Sequence, residues 1–311
     1  MTITVVGSTM MDIVFRTEHY PQRGDTVFGQ EIRYSPGGKG ANQATACAKL
    51  GAETYFIGCV GDDSFGQTLF SNLQSNHVNV EHMQTVSDAR TGIAQVTVDS
   101  SAENTILVVK GANDSLTIED IQACEDTIRK SRILLVQMEI REEVTRQAMI
   151  IARKHGITVV LDPAPADGIR TASLRYADII VPNQQEAKVL THIDVHDVPS
   201  AIEAAIYLHE HYGIAKSIIK LGGQGSLVYQ DGECEHIHVV SVRAVDTVGA
   251  GDSYAGALAF ALAEGKSLTN AAKFASIVSA LKVTKHGAQD GIPTMKEVKA
   301  FCLSRNLTLD I

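Results

Sequence analysis

The run Ile133-Leu134-Leu135-Val136-Gln137-Met138-Glu139 leads through an amphipathic segment, Thr145 to His155, to Gly156 and then to Thr158-Val159-Val160-Leu161-Asp162-Pro163. Four consecutive apolar residues without polar alternation predict a strand covered on both faces. The intervening segment has helical periodicity, and Gly156 supplies its stop. Strand, helix, strand is the unit of a parallel sheet. The same rhythm surrounds it. Thr117 to Arg129 predicts a helix on the near side. On the far side come a strand from Asp178 to Val181 ending in Pro182-Asn183, a helix carrying Glu186 in its first turn, a helix from Ala201 to Tyr212 closed by Gly213, and a strand from Ser217 to Leu221 ending in Gly222-Gly223. The expected architecture is therefore α/β, with three layers and a mainly parallel central sheet between helices. In such sheets ligands gather at the carboxyl ends of the strands. Glu139, Asn183, Glu186 and Lys220 fall at or just past those ends.

Toward the N-terminus, Ile3 to Val6 reads as the first strand, followed by Gly7-Ser8 and Asp12. Residues 13–34 are polar and irregular, with Pro21, Gly24 and Gly29 as punctuation, and fit a short β-rich flap. Thr54 to Val60 predicts a strand, and Ser64-Phe65-Gly66-Gln67 has capping-box spacing for a helix running to about Asn76. Two alternating runs, Ile93 to Val98 and Thr105 to Val109, flank the polar residues 99–104 and predict a hairpin in one small sheet with 13–34. After the helix that starts near Gly251 come helices from Leu268 to about Val283 and from Thr294 to Ser304. No repeat, low-complexity tract or linker divides residues 1–311, which reads as one domain.

Composition narrows the function classes. With 44% hydrophobic and 20% charged residues the chain is an ordinary globular protein. A net charge of -9 without any Lys/Arg run argues against nucleic acid or an anionic membrane as partner. No apolar run approaches the length of a membrane span. Met1-Thr2-Ile3-Thr4-Val5-Val6-Gly7 lacks the basic start of a signal peptide. Cys47, Cys59, Cys124, Cys234 and Cys302 form no CxxC pair, the pattern of reduced thiols in a cytoplasmic protein and not of a zinc site.

Two glycine-rich segments carry the chemistry. In Asp246-Thr247-Val248-Gly249-Ala250-Gly251-Asp252, small residues leave the backbone bare just before a helix rich in Ala and Leu. Its N–H groups and the positive end of the helix dipole converge on one spot suited to a phosphate. A carboxylate there, Asp252, is suited to taking a proton from an attacking hydroxyl; alternatively it caps the helix. In Pro36-Gly37-Gly38-Lys39-Gly40-Ala41-Asn42-Gln43-Ala44, three glycines in four positions let a ligand approach the backbone ahead of a second helix. GxxxxGK[ST], HExxH and GxSxG are absent, and Gly249, Gly251 and Gly256 miss GxGxxG spacing. Lys39 and Glu186 taken singly fit a solvated loop and a helix surface equally well, whereas Glu139, directly after an apolar strand, calls for a polar partner or ligand. His286 is left open.

These two segments, with Asn183-Gln184-Gln185-Glu186 as an NxxE motif, closely resemble the signatures of the ribokinase (PfkB-type) carbohydrate kinases, in family order and over Val5 to about Pro293. The resemblance implies a ribokinase-like fold with a small discontinuous β lid formed by about 13–34 and 93–109, which in the family also makes a homodimer contact. It implies an ATP-dependent kinase acting on the 5-hydroxyl of D-ribose or 2-deoxy-D-ribose. Asp252 would be the base, with Gly249, Ala250 and Gly251 as the anion hole. Asp12, Gly38, Lys39, Asn42 and Glu139 would hold the sugar. Asn183, Lys220, Gly222, Gly225 and Gly251 would face the nucleotide, and Glu186 would reach Mg2+ through water. Asp246 and the Val248 carbonyl would hold a monovalent cation, normally K+. Kinases of other small alcohols (fructose, a nucleoside, a keto-deoxy acid) and a non-catalytic sensor on the same fold are the alternatives; the intact Asp252 disfavours the sensor.

Three residues depart from the family pattern. Met10 stands where an Asn usually precedes Asp12 by two positions, as in deoxyribokinases. A thioether cannot replace an amide that bonds a hydroxyl, so the pocket is expected to use both sugars and to favour deoxyribose more than an Asn-bearing ribokinase does. Lys220 replaces a common Thr; it reaches the nucleotide phosphates or lies along the surface. Gly291 stands where a Ser often lies near the cation, which puts the cation site in question.

Overall fold

The computed structural model describes residues 1–100 and 104–308. Its strands in chain order are β1 (Thr2–Val6), β2 (Met10–Arg16), β3 (Glu31–Gly37), β4 (Glu53–Gly61), β5 (Val78–Val86), β6 (Gly92–Val98) and β7 (Asn104–Val109). They continue as β8 (Ile133–Val136), β9 (Thr158–Leu161), β10 (Ile179–Ile180), β11 (Lys216–Lys220), β12 (Ser226–Gln230) and β13 (Glu233–Ile237). The helices are α1 (Lys39–Lys49), α2 (Ser64–Ser75), α3 (Ile118–Ala123), α4 (Glu125–Lys130), α5 (Glu142–Lys154), α6 (Gln184–Thr191), α7 (Val198–Tyr212), α8 (Ala250–Ala263), α9 (Leu268–Lys282) and α10 (Met295–Arg305).

A nine-stranded sheet has the order β13-β12-β11-β10-β9-β8-β1-β4-β5. All neighbours from β11 to β5 are parallel, and β12 and β13 add an antiparallel edge. The apolar run of β8 shows why both faces are covered. Ile133 and Leu135 join a core with α1, α8 and α9, while Leu134 and Val136 join a second core with α5. Helices α1, α2, α8, α9 and α10 cover one face and α3 to α7 the other. The order of addition reverses at β1, with β4 on one side and β8 on the other. The ends of β1 and β8, Gly7-Ser8 and Gln137–Glu139, therefore flank the crevice where open α/β sheets bind ligands. No helix of the described residues is long and apolar enough to cross a membrane.

The small sheet has the order β3-β2-β6-β7. The hairpin β6–β7 pairs with 13–34 as the alternation predicts, and residues 101–103 of its polar connection lie outside the described residues. The central strand begins at Met10 and not at Ile13, so Met10 and Asp12 are part of this lid. Other boundaries also differ. The helix expected over 117–129 breaks at Cys124, whose ψ of 7° turns the chain and lets both Ile121 and Ile128 reach the core beside α5. The cap of α2 is Asp63, which accepts from Gly66 N at 2.9 Å and from the Thr91 hydroxyl at 2.6 Å; the Ser64–Gln67 box does not form. Strand β5 and the β12–β13 hairpin are additions to the sequence reading.

Helices α1 and α8 pack so closely that a Cβ on Gly256 would lie 2.6 Å from Ala46 Cβ and 2.8 Å from the Gln43 carbonyl. Gly256→Ala is expected to lower stability by about 1–3 kcal/mol in urea unfolding, because overpacking outweighs the better helix propensity of Ala. A gain of about 1 kcal/mol, as propensity alone gives, would contradict this close approach.

Candidate active site

The first turns of α1 and α8 meet at the crevice. Gly38 is the N-cap of α1 with φ 87°, and a Cβ there would lie 2.6 Å from Thr9 Cα, so the GGKG segment can pass the end of β1 only as glycine. Gly249, at φ 74°, is the N-cap of α8 and brings no capping side chain. Asp252 lies in the first turn of α8 but does not cap it. Its carboxylate accepts from Asn42 Nδ2 at 2.7 Å and from Gln43 Nε2 at 3.3 Å, both from α1. Ala250 N–H donates to the Thr247 carbonyl at 3.1 Å, so this member of the expected anion hole is already committed. For the N–H groups of Gly251 and Asp252 no internal backbone acceptor is found among the described residues.

Gln43 links this carboxylate to a second one. Its Nε2 also donates to Asp162 Oδ2 at 2.8 Å, and its Oε1 accepts from Gln137 Nε2 at 2.6 Å. Asp162 in turn accepts from Lys220 Nζ at 2.9 Å. Lys220 is therefore not a surface lysine. Burial disfavours its charge, but Asp162 and Glu186 outweigh that and hold its pKa above the ordinary lysine value. A Cβ on Gly251 would lie 3.7 Å from its Nζ, so the ammonium faces the start of α8. Gln43 and Asp162 were not among the sequence candidates; the signal for Asp162 was its position at the carboxyl end of a parallel strand.

On the lid side, Glu139 finds the polar partners its position called for. It accepts from the Ser8 hydroxyl and, at 3.0 Å, from Lys39 N–H. Asp12 faces these groups from β2. Burial, with Glu139 and Asp252 adding to it against the opposing Lys39, pushes the Asp12 carboxyl up to about 7. Burial works against the Lys39 charge, but Asp252, Glu139, Asp162 and Glu186 hold its ammonium well above the ordinary range. Met10 is 2% exposed and alternates onto the same face of β2 as Asp12. Unlike Met11 it belongs to none of the hydrophobic cores.

On the other side of α8 opens a cleft of about 700 Å³ lined by Asn183, Lys220, Gly222, Gly225, Ala250 and Gly251, with Val239, Val242 and Val283 as apolar wall. Asn183 and Glu186 form a capping box at the start of α6: Asn183 N donates to Glu186 Oε2 at 2.7 Å and Glu186 N donates to Asn183 Oδ1 at 2.9 Å. Glu186 is buried, not on the helix surface. Burial raises its pKa, and Asp162 adds to this while Lys220 opposes it. Asp246 accepts from Val248 N at 3.0 Å and from Gly287 N at 2.8 Å. Burial works to raise its pKa, but these N–H groups, with Lys282 and His286, hold it below the usual carboxylate range. His286 itself is exposed and does not line the cleft.

A pfkB family carbohydrate kinase model matches residues 2–295. A ribokinase of Haemophilus influenzae is 40% identical, covering 96% of this chain and 98% of its own. A deoxyribokinase of Salmonella typhi is 34% identical, covering 97% and 98%. The solved structure of Arabidopsis thaliana ribokinase complexed with ribose and ATP has a TM-score of 0.88 at 31% identity, covering 96% of this chain and 97% of that one. The fold is thus the ribokinase-like α/β architecture with its smaller sheet. With both glycine motifs meeting around one buried carboxylate, the chain belongs to the pfkB family of carbohydrate kinases.

Proposed function

We propose that this chain transfers the γ-phosphoryl group of ATP to the 5-hydroxyl of D-ribose or 2-deoxy-D-ribose. One observation carries the reading: Asp252 sits between a group of sugar-binding type (Asp12, Asn42, Glu139) and a cleft of nucleotide size, beside the Gly251 N–H at the start of α8. Asn42 has the further feature of a buried Oδ1 with no hydrogen-bond partner, an acceptor for a sugar hydroxyl. Asp12 and Glu139 accept further hydroxyls. With the sugar held there, Asp252 receives the proton of the 5-hydroxyl as its oxygen bonds to phosphorus, and the bond to the ADP oxygen breaks. The first turn of α8 and Lys220 lie where charge spreads over the transferred group. Phosphoryl transfer depends on such positioning and charge neutralisation.

Glu186, in a capping box with the cleft-lining Asn183, suits a hydrated Mg2+, which keeps most of its waters and binds through one or two carboxylates and the substrate phosphates. Glu186 would hold it through water, and the ion would neutralise phosphate charge. The lid exposes Ile106 and Leu107 at 58% and 65%, which supports a homodimer through this sheet. Four of the five cysteines are buried thiols, which supports a cytoplasmic setting.

Asp252→Asn is expected to reduce turnover by about 10²–10⁴-fold, the scale of a lost general base, with sugar affinity nearly unchanged by calorimetry. Near-normal turnover would remove Asp252 from this role. Selectivity rests on Met10. In the Met10→Asn variant the kcat/KM ratio of ribose to 2-deoxyribose should rise by roughly 5–150-fold, since a buried amide left unpaired beside the deoxy sugar costs about 1–3 kcal/mol. An unchanged ratio would refute the assignment of Met10 to the pocket.

Asp12 makes stability depend on pH. Its carboxyl sits near 7 in the fold against 3.8 unfolded, so the folded chain retains a proton that the unfolded chain releases. The stability from this retention is complete below about pH 4 and is lost as pH rises through 7. Asp12→Asn is therefore expected to stabilise the sugar-free protein at pH 8, by about 4 kcal/mol at most, and to have little effect near pH 4. Thermal unfolding of both proteins across this range checks the sign; equal curves would refute it.

A further inference from the structure

Lys282 is the sole lysine among the described residues with no exposed surface, and nothing in the mechanism above uses it. It ends α9, in the run Ser279-Ala280-Leu281-Lys282-Val283, where an interior face would ordinarily be apolar. A buried ammonium is costly unless it is paired and hydrogen-bonded. Its Nζ donates to the backbone carbonyl of Asp246 at 3.0 Å, at the first residue of the turn that leads into α8. The charges of Asp246 and Asp252 favour the ammonium form, although burial leaves its pKa below the ordinary lysine value.

The backbone around Lys282 leaves room for its side chain. A Cβ on Gly291 would lie 3.1 Å from Lys282 Cε and 2.6 Å from the Gly287 carbonyl, so a residue with a side chain at 291 would crowd the path of the lysine. This is the position at which the family pattern has a Ser beside the cation. Each oxygen of the Asp246 carboxylate accepts one backbone N–H, from Val248 and from Gly287, which holds the side chain beside that carbonyl. What the residues present do not fit is a K+ on the Asp246 carbonyl, where Lys282 Nζ is already bonded. An ion ligated by the Asp246 carbonyl would meet a like charge already bonded to it.

We propose that the Lys282 ammonium is a built-in substitute for the monovalent cation beneath the anion hole, so that this chain works without potassium. A Lys ammonium is a compact point charge, as a monovalent ion is. Held by covalent attachment, it needs no binding from solution, and it fixes the Asp246 carbonyl and with it the turn from which α8 starts. Lys282 is in this sense a positioning residue: it touches neither sugar nor phosphate. The proposal rests on the kinase reading above, and its test has an arm that does not.

Turnover is measured at constant ionic strength in KCl, NaCl and tetramethylammonium chloride. The native chain is expected to keep kcat within about twofold across the three salts; activation by K+ of tenfold or more would overturn the proposal. Lys282→Ala is expected to lose at least tenfold in kcat in tetramethylammonium chloride and to recover in KCl. Independently of any substrate, thermal unfolding should show no difference between KCl and NaCl for the native chain and a K+-specific rise in Tm for Lys282→Ala. A K+-specific rise in the native chain, or none in a folded Lys282→Ala protein, counts against it. If that variant does not fold, the native chain alone decides through its salt series and melting curves. If no sugar is phosphorylated, the melting curves still decide the cation question.

Discussion

The site depends on one amide. Gln43 donates from a single Nε2 to carboxylates on two different elements, Asp162 after β9 and Asp252 in α8, while Gln137 after β8 donates to its Oε1 and so fixes which end of the amide faces the carboxylates. Asn42 donates a second bond to Asp252 and Lys220 a second bond to Asp162, so each carboxylate is held by two side chains. The network thereby fixes where the Asp252 carboxylate sits. It also ties α1, α8 and the ends of two strands to one point, which is why the close packing of Gly256 against Ala46 bears on chemistry as well as on stability.

The same economy of charge runs through the rest of the crevice. Asp12, Glu139, Asp162, Glu186 and Asp252 are opposed by Lys39 and Lys220, with Lys282 behind the turn. The carboxyl of Asp12 has its pKa raised first by burial, with the charges of Glu139 and Asp252 adding to it. It is also the one carried by the lid strand β2, so the group whose protonation is most easily changed is the group that a sugar entering beneath the lid would meet.

Much of this was legible in the chain because local pattern and tertiary role coincide. The apolar run Ile133–Val136 and the shorter one in Lys216–Lys220, set between helical segments, mark strands of a parallel sheet, and Glu139 and Lys220 fall at or just past their carboxyl ends. The glycine motifs announced bare backbone, and the structure uses Gly38 and Gly249 at positive φ for that purpose. What was missed depends on distant partners. Gln43 lies 119 residues from Asp162 and 209 from Asp252, and no spacing rule links them. Cys124 interrupts its helix without Gly or Pro, so nothing local marks the break. The β12–β13 hairpin is a different case: Asp231-Gly232, both at positive φ, is a strong two-residue turn signal, but it joins an antiparallel pair that breaks the β–α rhythm of the rest of the sheet.

Lys282 and Met10 show why departures from a family pattern are informative only with their neighbours. Gly291 read alone is a missing ligand for a cation; beside Lys282 Cε it is the space that admits a different cation. Met10 read alone is a lost amide, and in place it is a buried thioether outside every apolar core, packed against Gly92 at the inner end of the lid, where a Cβ on that glycine would lie 3.2 Å from its Cγ. In both cases a glycine lies beside the substituted residue, so what the substitution can do depends on that neighbour. On the reading proposed above, α9 and β2 act from opposite ends of the crevice, with Asp252 held between them by Asn42 and Gln43.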